Sequence, residues 1–159
     1  MRTDLDVEQN LEKIIRRHAF WKGLDSVYFH VLEGFATLVT WGPGEGVFQA
    51  DASAEHFYLI NRGCVCLETL VSGRNVVTIQ MLGPGEALGW SWLFPPYRWH
   101  FSARSRVFTE AVAFQAKALR EYAQENHDFG YELTKRVGQI ILDRLQATRL
   151  RLVNFYAPI

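Results

Sequence analysis

The fold of this chain is decided by the stretch Gly83-Pro84-Gly85-Glu86-Ala87-Leu88-Gly89-Trp90-Ser91-Trp92-Leu93-Phe94-Pro95-Pro96-Tyr97-Arg98-Trp99. It begins with two glycine turns, continues as a short apolar segment and contains an arginine near its end. A glycine-led helical turn presents free backbone N–H groups to an anion, and a guanidinium can hold the same anion with two parallel hydrogen bonds. The order of these residues predicts a phosphate pocket, with Arg98 as its cationic ligand.

Short apolar or alternating segments surround this stretch. They cover residues 37–41, 47–50, 56–60, 64–70, 76–82, 99–105 and 111–114. Glycine-containing turns separate them, and eight of the twelve glycines fall between Gly42 and Gly89. Many short strands at a spacing of about ten residues predict an antiparallel sandwich or barrel.

Helical patterns flank the strands on both sides. Apolar residues recur at helical spacing over 7–18, and Asp25 is typical of the N-cap of a second short helix that ends near Gly34. After the last strand, the pattern predicts one short helix over 117–126 and one long helix over 128–156.

The composition is that of one ordinary globular domain. The 159 residues are 48% apolar and 21% charged. Seventeen basic residues balance seventeen acidic ones, so there is no electrostatic argument for non-specific nucleic-acid binding. Because there is no long apolar run and no apolar signal core, we expect no membrane span and a cytoplasmic location.

Four motifs, in this order, resemble the cyclic nucleotide-binding domain family. They are Pro43-Gly44-Glu45 with Val47-Phe48, the segment His56-Phe57-Tyr58-Leu59-Ile60-Asn61-Arg62-Gly63, the segment Leu82-Gly83-Pro84-Gly85-Glu86-Ala87-Leu88-Gly89, and Arg144-Leu145-Gln146-Ala147-Thr148. The last is similar to the long helix of bacterial catabolite activator proteins. The resemblance implies a mainly β fold: an antiparallel β-roll of eight strands, a double-stranded β-helix or jelly roll, with flanking helices. We divide this single domain into N-terminal helices (1–36), the β-roll (37–115) and C-terminal helices (116–157).

The resemblance also implies a set of ligand-binding residues. The backbone of Gly89 would approach the ligand, Ser91 would lie in the turn that supplies N–H groups, and Arg98 would pair with a cyclic phosphate. Thr148 matches the helix residue that meets the purine in the catabolite activators. The ligand-binding set is therefore Gly89, Trp90, Ser91, Arg98, Trp99 and Thr148.

Two positions of that set depart from the family pattern. The family has a glutamate after the cassette glycine, where it holds the ribose hydroxyl, but this chain has Trp90. The small residue expected after the arginine is Trp99. A buried hydroxyl without its acceptor costs about 1–3 kcal/mol, which corresponds to roughly a tenfold or greater loss of affinity. We therefore expect the binding of cyclic AMP and cyclic GMP to be weak or lost.

The long helix also carries a predicted dimer interface. Gly138, Ile141, Leu145, Thr148, Leu152 and Phe155 follow one another at spacings of 3, 4, 3, 4 and 3 residues. That is a heptad seam, and it predicts a parallel homodimer through Gly138, Ile141, Leu145, Leu152 and Phe155. Only Ala157-Pro158-Ile159 follows this helix, so we expect no helix-turn-helix domain for DNA binding.

The leading hypothesis is a stand-alone regulatory sensor, without catalytic residues, that responds to a cyclic nucleotide or another small anion and acts on an unknown protein partner. A ligand-free interaction or scaffold protein, with indoles filling the pocket, is the main alternative. An enzyme of the cupin type is a third hypothesis, but its metal site needs a His-x-His pair and the sequence contains none. We therefore expect no metal site and no bound cofactor other than a nucleotide or anion.

Overall fold

The computed structural model describes the backbone of residues 4–73 and 75–157, with side chains described from residue 10 onward. Within these residues the structure has four α-helices: α1 (Asp4–Arg17), α2 (Phe29–Gly34), α3 (Ala116–Glu125) and α4 (His127–Tyr156). The predicted long helix is present with nearly the predicted ends. The Asp25 carboxylate accepts a hydrogen bond of 3.1 Å from the Val27 N–H, as an N-cap should. The helix that follows Asp25 begins as a 3-10 turn over Ser26–Tyr28 and then continues as α2.

Seven strands lie in the described part of the chain, and every pair is antiparallel. They are β1 (Ala36–Trp41), β2 (Gly46–Phe48), β3 (His56–Arg62), β4 (Val65–Val71), β5 (Asn75–Leu82), β6 (Ser102–Ser105) and β7 (Thr109–Gln115). One sheet has the order β1-β7-β3 and the other has the order β2-β6-β4-β5. The predicted fold class, antiparallel strands with N-terminal helices and a long C-terminal helix, is confirmed.

The predicted strand over 99–105 is shorter than expected, because β6 begins only at Ser102. The backbone before it pairs with another loop. The Asp51 N–H donates to the Trp99 carbonyl at 2.8 Å, and the Trp99 N–H donates to the Ala52 carbonyl at 3.0 Å. Tyr97 has a positive φ of 57°, so the chain turns just before this short contact. The pairing is limited to an isolated bridge instead of an eighth strand.

The apolar core joins the helices to the roll. Trp21, Phe57, Phe114 and Phe129 are among the buried residues of the main cluster, and the first half of α4 enters it through Leu133 and Val137. A second, smaller cluster lies within the roll around Ile60, Leu67 and Leu88. After Ile141, which packs against the main cluster, most of α4 is exposed. Within the described residues, no helix is both long and apolar enough to cross a membrane.

Candidate functional site

Residues 83–99, which we call the cassette segment, run from a glycine turn along strand β3. The Glu86 side chain accepts a hydrogen bond of 2.7 Å from the Gly83 N–H and so closes the turn. The Leu88 N–H donates to the Tyr58 carbonyl at 3.0 Å. Gly89 then adopts a positive φ of 74°, which favours glycine. The predicted glycine turns therefore bend the chain so that the cassette segment can pair with β3 of the roll.

An aromatic cluster occupies the space beside Gly89. A Cβ at Gly89 would lie 3.1 Å from the six-membered ring of Trp99. Trp99 is only 3% exposed and stacks on Phe48 with ring centroids 3.8 Å apart and planes 8° apart. Trp90 is half-buried and contacts Phe101 edge to face. The structure thus places the Trp99 indole against Gly89, whereas the indole of Trp90, the next residue, packs on Phe101.

The other predicted ligand residues lie in different surroundings. Arg98 is exposed, and its Nη1 donates to the Asp51 carbonyl at 2.6 Å. Ser91 is buried. Thr148 is exposed on α4, where its hydroxyl donates to the Arg144 carbonyl at 2.8 Å. Arg98 therefore helps to hold the neighbouring loop in this conformation.

Arg144 of α4 contacts the cassette segment directly. Its Nη2 donates to the Ala87 carbonyl at 2.6 Å, and its guanidinium carbon lies 4.9 Å from the centre of the Trp90 ring. Its Nη1 is buried and has no hydrogen-bond partner among the described residues. Burial lowers the pKa of Arg144 to about 10, partly offset by the nearby Glu86 carboxylate. The side chain stays charged at neutral pH, where it packs as a cation on an indole face.

A cleft of about 730 Å³ lies next to Arg144. Its walls are the loop 19–23, residues 80–87 of β5 and the following turn, and residues 132–144 of α4. Arg136 joins two of these walls, because its Nε donates to the Phe20 carbonyl at 2.9 Å and its Nη2 donates to the Lys22 carbonyl at 2.8 Å. None of the six predicted ligand residues lines this cleft.

The comparisons with known proteins agree with this architecture. The family model for the cyclic nucleotide-binding domain matches residues 38–126, which include most of β1, all of β2 to β7, and α3. The chain belongs to the cyclic nucleotide-binding domain family. A search among curated protein sequences found no match to this domain.

Three solved structures illustrate how far the similarity of this domain extends. A putative cyclic nucleotide-binding protein from Geobacter metallireducens is 25% identical, with 84% of this chain and 97% of that chain covered and a TM-score of 0.75. A cyclic nucleotide-binding domain from Methylobacillus flagellatus is 13% identical, with 96% and 85% covered and a TM-score of 0.78. The regulatory domain of Toxoplasma gondii PKA, crystallised with cAMP, is 15% identical, with 80% and 50% covered and a TM-score of 0.63. At 13% and 15% identity, the similarity to the last two structures shows a shared fold.

The predicted dimer seam of the domain is largely open to solvent. Leu145, Leu152 and Phe155 are 46%, 56% and 80% exposed. Gly138 is exposed too, and a Cβ built on it would meet no atom within 4 Å. Ile141 differs from these four, because it packs partly against the main core. The seam therefore consists of an apolar stripe on the exposed half of α4, with Ile141 at its inner edge.

The described residues contain no group of three or more His, Cys, Asp or Glu side chains that could hold a metal ion. The metal chemistry of a cupin-type enzyme depends on such a group.

His18 fixes the position of the loop 19–23, which forms one wall of the cleft. It directly follows the last residue of α1, and its side chain is buried. Its Nδ1 accepts a hydrogen bond of 3.2 Å from the Phe20 N–H. Its Nε2 lies 2.9 Å from the Ile60 carbonyl. The neutral ring with the proton on Nε2 satisfies both contacts, and burial lowers the pKa of His18 below its usual value.

We expect His18 to make the stability of the domain depend on pH. Because its folded-state pKa is lowered, the unfolded state binds more protons below about pH 6.5. Its contribution to the free energy of unfolding should be complete above that pH and decline as the pH falls through the folded-state pKa. Urea unfolding between pH 5 and 7 should show a smaller pH dependence for His18→Gln than for the wild type. The exposed His30 provides the control, and His30→Gln should retain the wild-type pH dependence. Equal slopes for all three proteins would contradict this role of His18.

Sequence reasoning missed two parts of the site. Arg144 had a signal, because it begins the Arg144-Leu145-Gln146-Ala147-Thr148 motif, but the family resemblance assigns the ligand contact to Thr148 at the other end. The cleft had no sequence signal, because its walls come from three segments far apart in the chain.

Proposed function

We propose that this domain is a regulatory sensor module whose cassette no longer binds cyclic AMP or cyclic GMP with ordinary affinity. The observation that carries the proposal is the indole of Trp99 packed against Gly89, together with Trp90, the next residue, which lies under the Arg144 guanidinium. The module would act by binding and not by catalysis. Membership of the family, and the similarity to a regulatory domain crystallised with cAMP, support the regulatory part of the proposal.

Two physical effects would weaken nucleotide binding. Trp90 offers no carboxylate to a ribose hydroxyl, and its single N–H can only donate. A nucleotide that approached Gly89 would also have to displace Trp99 from its stack with Phe48. Displacing a buried aromatic ring sacrifices apolar burial as well as the ring contact. We expect both costs to reduce affinity together.

The contacts of Arg144 provide a route from the cassette to the long helix. One side chain on α4 contacts both Ala87 and Trp90. A ligand that changed either contact would favour a different position of α4, and a regulatory response needs such a difference between the two states. We propose that α4 presents this change through a homodimer formed along Gly138, Ile141, Leu145, Leu152 and Phe155, and that a protein partner recognises it.

A ligand-free scaffold is the second candidate, and the same aromatic cluster favours it. Trp99 and Trp92 are both buried, and Trp92 stacks on Phe57 at 4.6 Å. Aromatic side chains packed in this way contribute to stability without any ligand. The two candidates differ in whether any small molecule changes the stability of the domain.

Isothermal titration with cyclic AMP and cyclic GMP tests the proposal. We expect no binding tighter than the micromolar range for the wild type, and a gain of about tenfold or more for Trp90→Glu, which restores an acceptor. Trp90→Phe is the matched control, because it shortens the side chain without adding a carboxylate. Sub-micromolar binding of either nucleotide by the wild-type protein would refute the altered cassette.

A thermal-shift screen over nucleotides, anions and small aromatic compounds separates the sensor from the scaffold. A true ligand at a hundred times its dissociation constant stabilises the folded state by about 2.7 kcal/mol. A clear rise in the unfolding midpoint with any compound supports the sensor, whereas a flat response across the screen favours the scaffold.

A further inference from the structure

We propose that the cleft between α4 and the turn at 85–87 binds a small molecule carrying an oxyanion, a carboxylate or a phosphate ester, and that Arg144 takes up its charge. This site is separate from the predicted cassette pocket and goes beyond the function proposed above. It requires no cyclic nucleotide.

The first argument is the incomplete hydrogen bonding of Arg144. A guanidinium has five N–H donors. Nη2 of Arg144 donates to the Ala87 carbonyl, whereas Nη1 is buried without any partner in the described part of the chain. An unpaired buried donor on a charged group is costly. A bidentate bond to an oxyanion in the adjacent cleft would give Nη1 a partner and would replace the bond from Nη2 to Ala87. We propose that these two charge-assisted bonds outweigh the loss of the contact with Trp90.

The second argument is the distribution of charge around the cleft. The charged side chains on its walls are the cations of Lys22, Lys135, Arg136 and Arg144 and the carboxylates of Glu86, Glu132 and Asp143. The walls therefore carry one more positive than negative charge.

The carboxylates on the walls already have partners of their own. Glu132 pairs with Arg136 and Lys135, and the bond from Arg136 is the main reason that the pKa of Glu132 is lowered. Glu86 accepts from the Gly83 N–H, and Asp143 accepts from the Gln139 amide at 2.8 Å. Neither Arg144 nor Lys22 has an ion pair among the described residues, although Glu86 lies close enough to Arg144 to raise its pKa. Arg144 differs from Lys22 in its buried Nη1 without a partner, and this makes it the cation that gains most from an anion.

The third argument is the shape and apolar content of the cleft. Its volume of about 730 Å³ is within the range of small-molecule sites, roughly 300–1,000 Å³. Phe20, Leu82 and Ile140 contribute apolar surface to its walls. A ligand with a compact apolar body and one anionic group matches this combination better than a bare ion does.

Binding in the cleft would also affect the cassette segment. Arg144 now contacts the Ala87 carbonyl and the Trp90 ring, so an anion that drew it away would release both. Trp90 would lose the cation over its face, and this change in its surroundings should alter its fluorescence.

The experiment is a thermal-shift titration of the full chain with sodium phosphate and with sodium succinate, each compared with sodium chloride at equal ionic strength. We expect at least one of the two anions to raise the midpoint of the wild type by about 2–4 °C more than that of Arg144→Met. The comparison with Arg144→Met removes the general stabilising effect of phosphate on folded proteins. A response to phosphate alone identifies a phosphate ester as the ligand class, and a response to succinate alone identifies a carboxylate. Arg144→Lys keeps the charge and should retain part of the response.

Arg98→Met is the matched control, because Arg98 is the arginine that the sequence assigns to the cassette pocket. It should respond as the wild type does. Equal responses of the wild type and Arg144→Met would overturn the proposal, as would the loss of the response in Arg98→Met with its retention in Arg144→Met. The outcome is independent of the cyclic nucleotide titration, so the two proposals can fail separately.

Tryptophan fluorescence provides a measurement that does not depend on the folding of Arg144→Met. The anion that stabilises the wild type should change its emission, and the change should be absent in Trp90→Phe. An anion-induced change of equal size in both proteins, or no change in either, would contradict the movement of Arg144 from Trp90.

Discussion

Replacing both Leu145 and Leu152 by aspartate should convert the proposed homodimer into a monomer. Both leucines lie on the heptad seam of α4 and are about half exposed in the single chain. In a parallel dimer, each residue of the seam lies close to its counterpart on the partner helix. The substitution would remove apolar contacts and place like charges together in a poorly solvated interface. We expect the dissociation constant of the dimer to rise by at least about a hundredfold, measured by size-exclusion chromatography with light scattering.

Leu150→Asp is the control for this experiment. Leu150 is 62% exposed on the same part of α4, but it lies five residues after Leu145 and two before Leu152, so it falls on another face of the helix. This variant should remain dimeric. A monomeric wild-type protein, or a dimer that survives the double substitution, would contradict the seam.

Replacing Gly130 by alanine should destabilise the fold through a clash between α3 and α4. A Cβ at this position would lie 2.5 Å from the backbone oxygen of Ala123 and 3.3 Å from its carbonyl carbon. Backbone atoms cannot turn aside as a flexible side chain can, so the two helices would have to separate. We expect the free energy of unfolding to fall by about 2 kcal/mol, because the overpacking outweighs the gain of about 0.5–1 kcal/mol from alanine in a helix.

Gly34→Ala is the matched substitution in an open position. Gly34 ends α2, and a Cβ built on it would meet nothing within 4 Å. Its free energy of unfolding should stay within about 0.5 kcal/mol of the wild-type value. Urea unfolding of the wild type and both variants measures these free energies of unfolding. Equal stability of Gly130→Ala and Gly34→Ala would show that the helices can separate without cost.

Most of the fold could be predicted from the sequence because its signals are local. The glycine turn at 83–85 and the Asp25 cap depend on residues within a few positions of one another. The alternating apolar and polar residues of the strands, and the regular spacing of apolar residues in α4, are periodic patterns that the sequence shows directly. The beginning of β6 was placed too early, because residues 98–99 pair with a loop almost fifty residues away, and no local pattern reports that contact.

The candidate site was harder to predict, because it depends on which way single side chains lie. Spacing indicated an arginine for the anion, and the nearest one, Arg98, binds a loop carbonyl at the surface instead. Arg144, 46 positions further on, lies over Trp90. The burial of His18 was equally hard to predict. His18 follows α1 and packs against Ile60 of β3, and no pattern near either residue in the sequence indicates this contact. The contact of Arg98 with a ligand stays a prediction.

The bonds from Arg136 to the carbonyls of Phe20 and Lys22 determine how the cleft can open. They join the long helix to the 19–23 loop, and His18 in turn joins that loop to β3 of the roll. This end of the cleft is therefore held, whereas at the other end the bond from Arg144 to the Ala87 carbonyl joins the helix to the 85–87 turn. If that bond were released, a tilt of the helix would widen or narrow the gap at the 85–87 turn. The width of the gap therefore changes with the angle of the helix, and a compound that fits only one width would fix that angle.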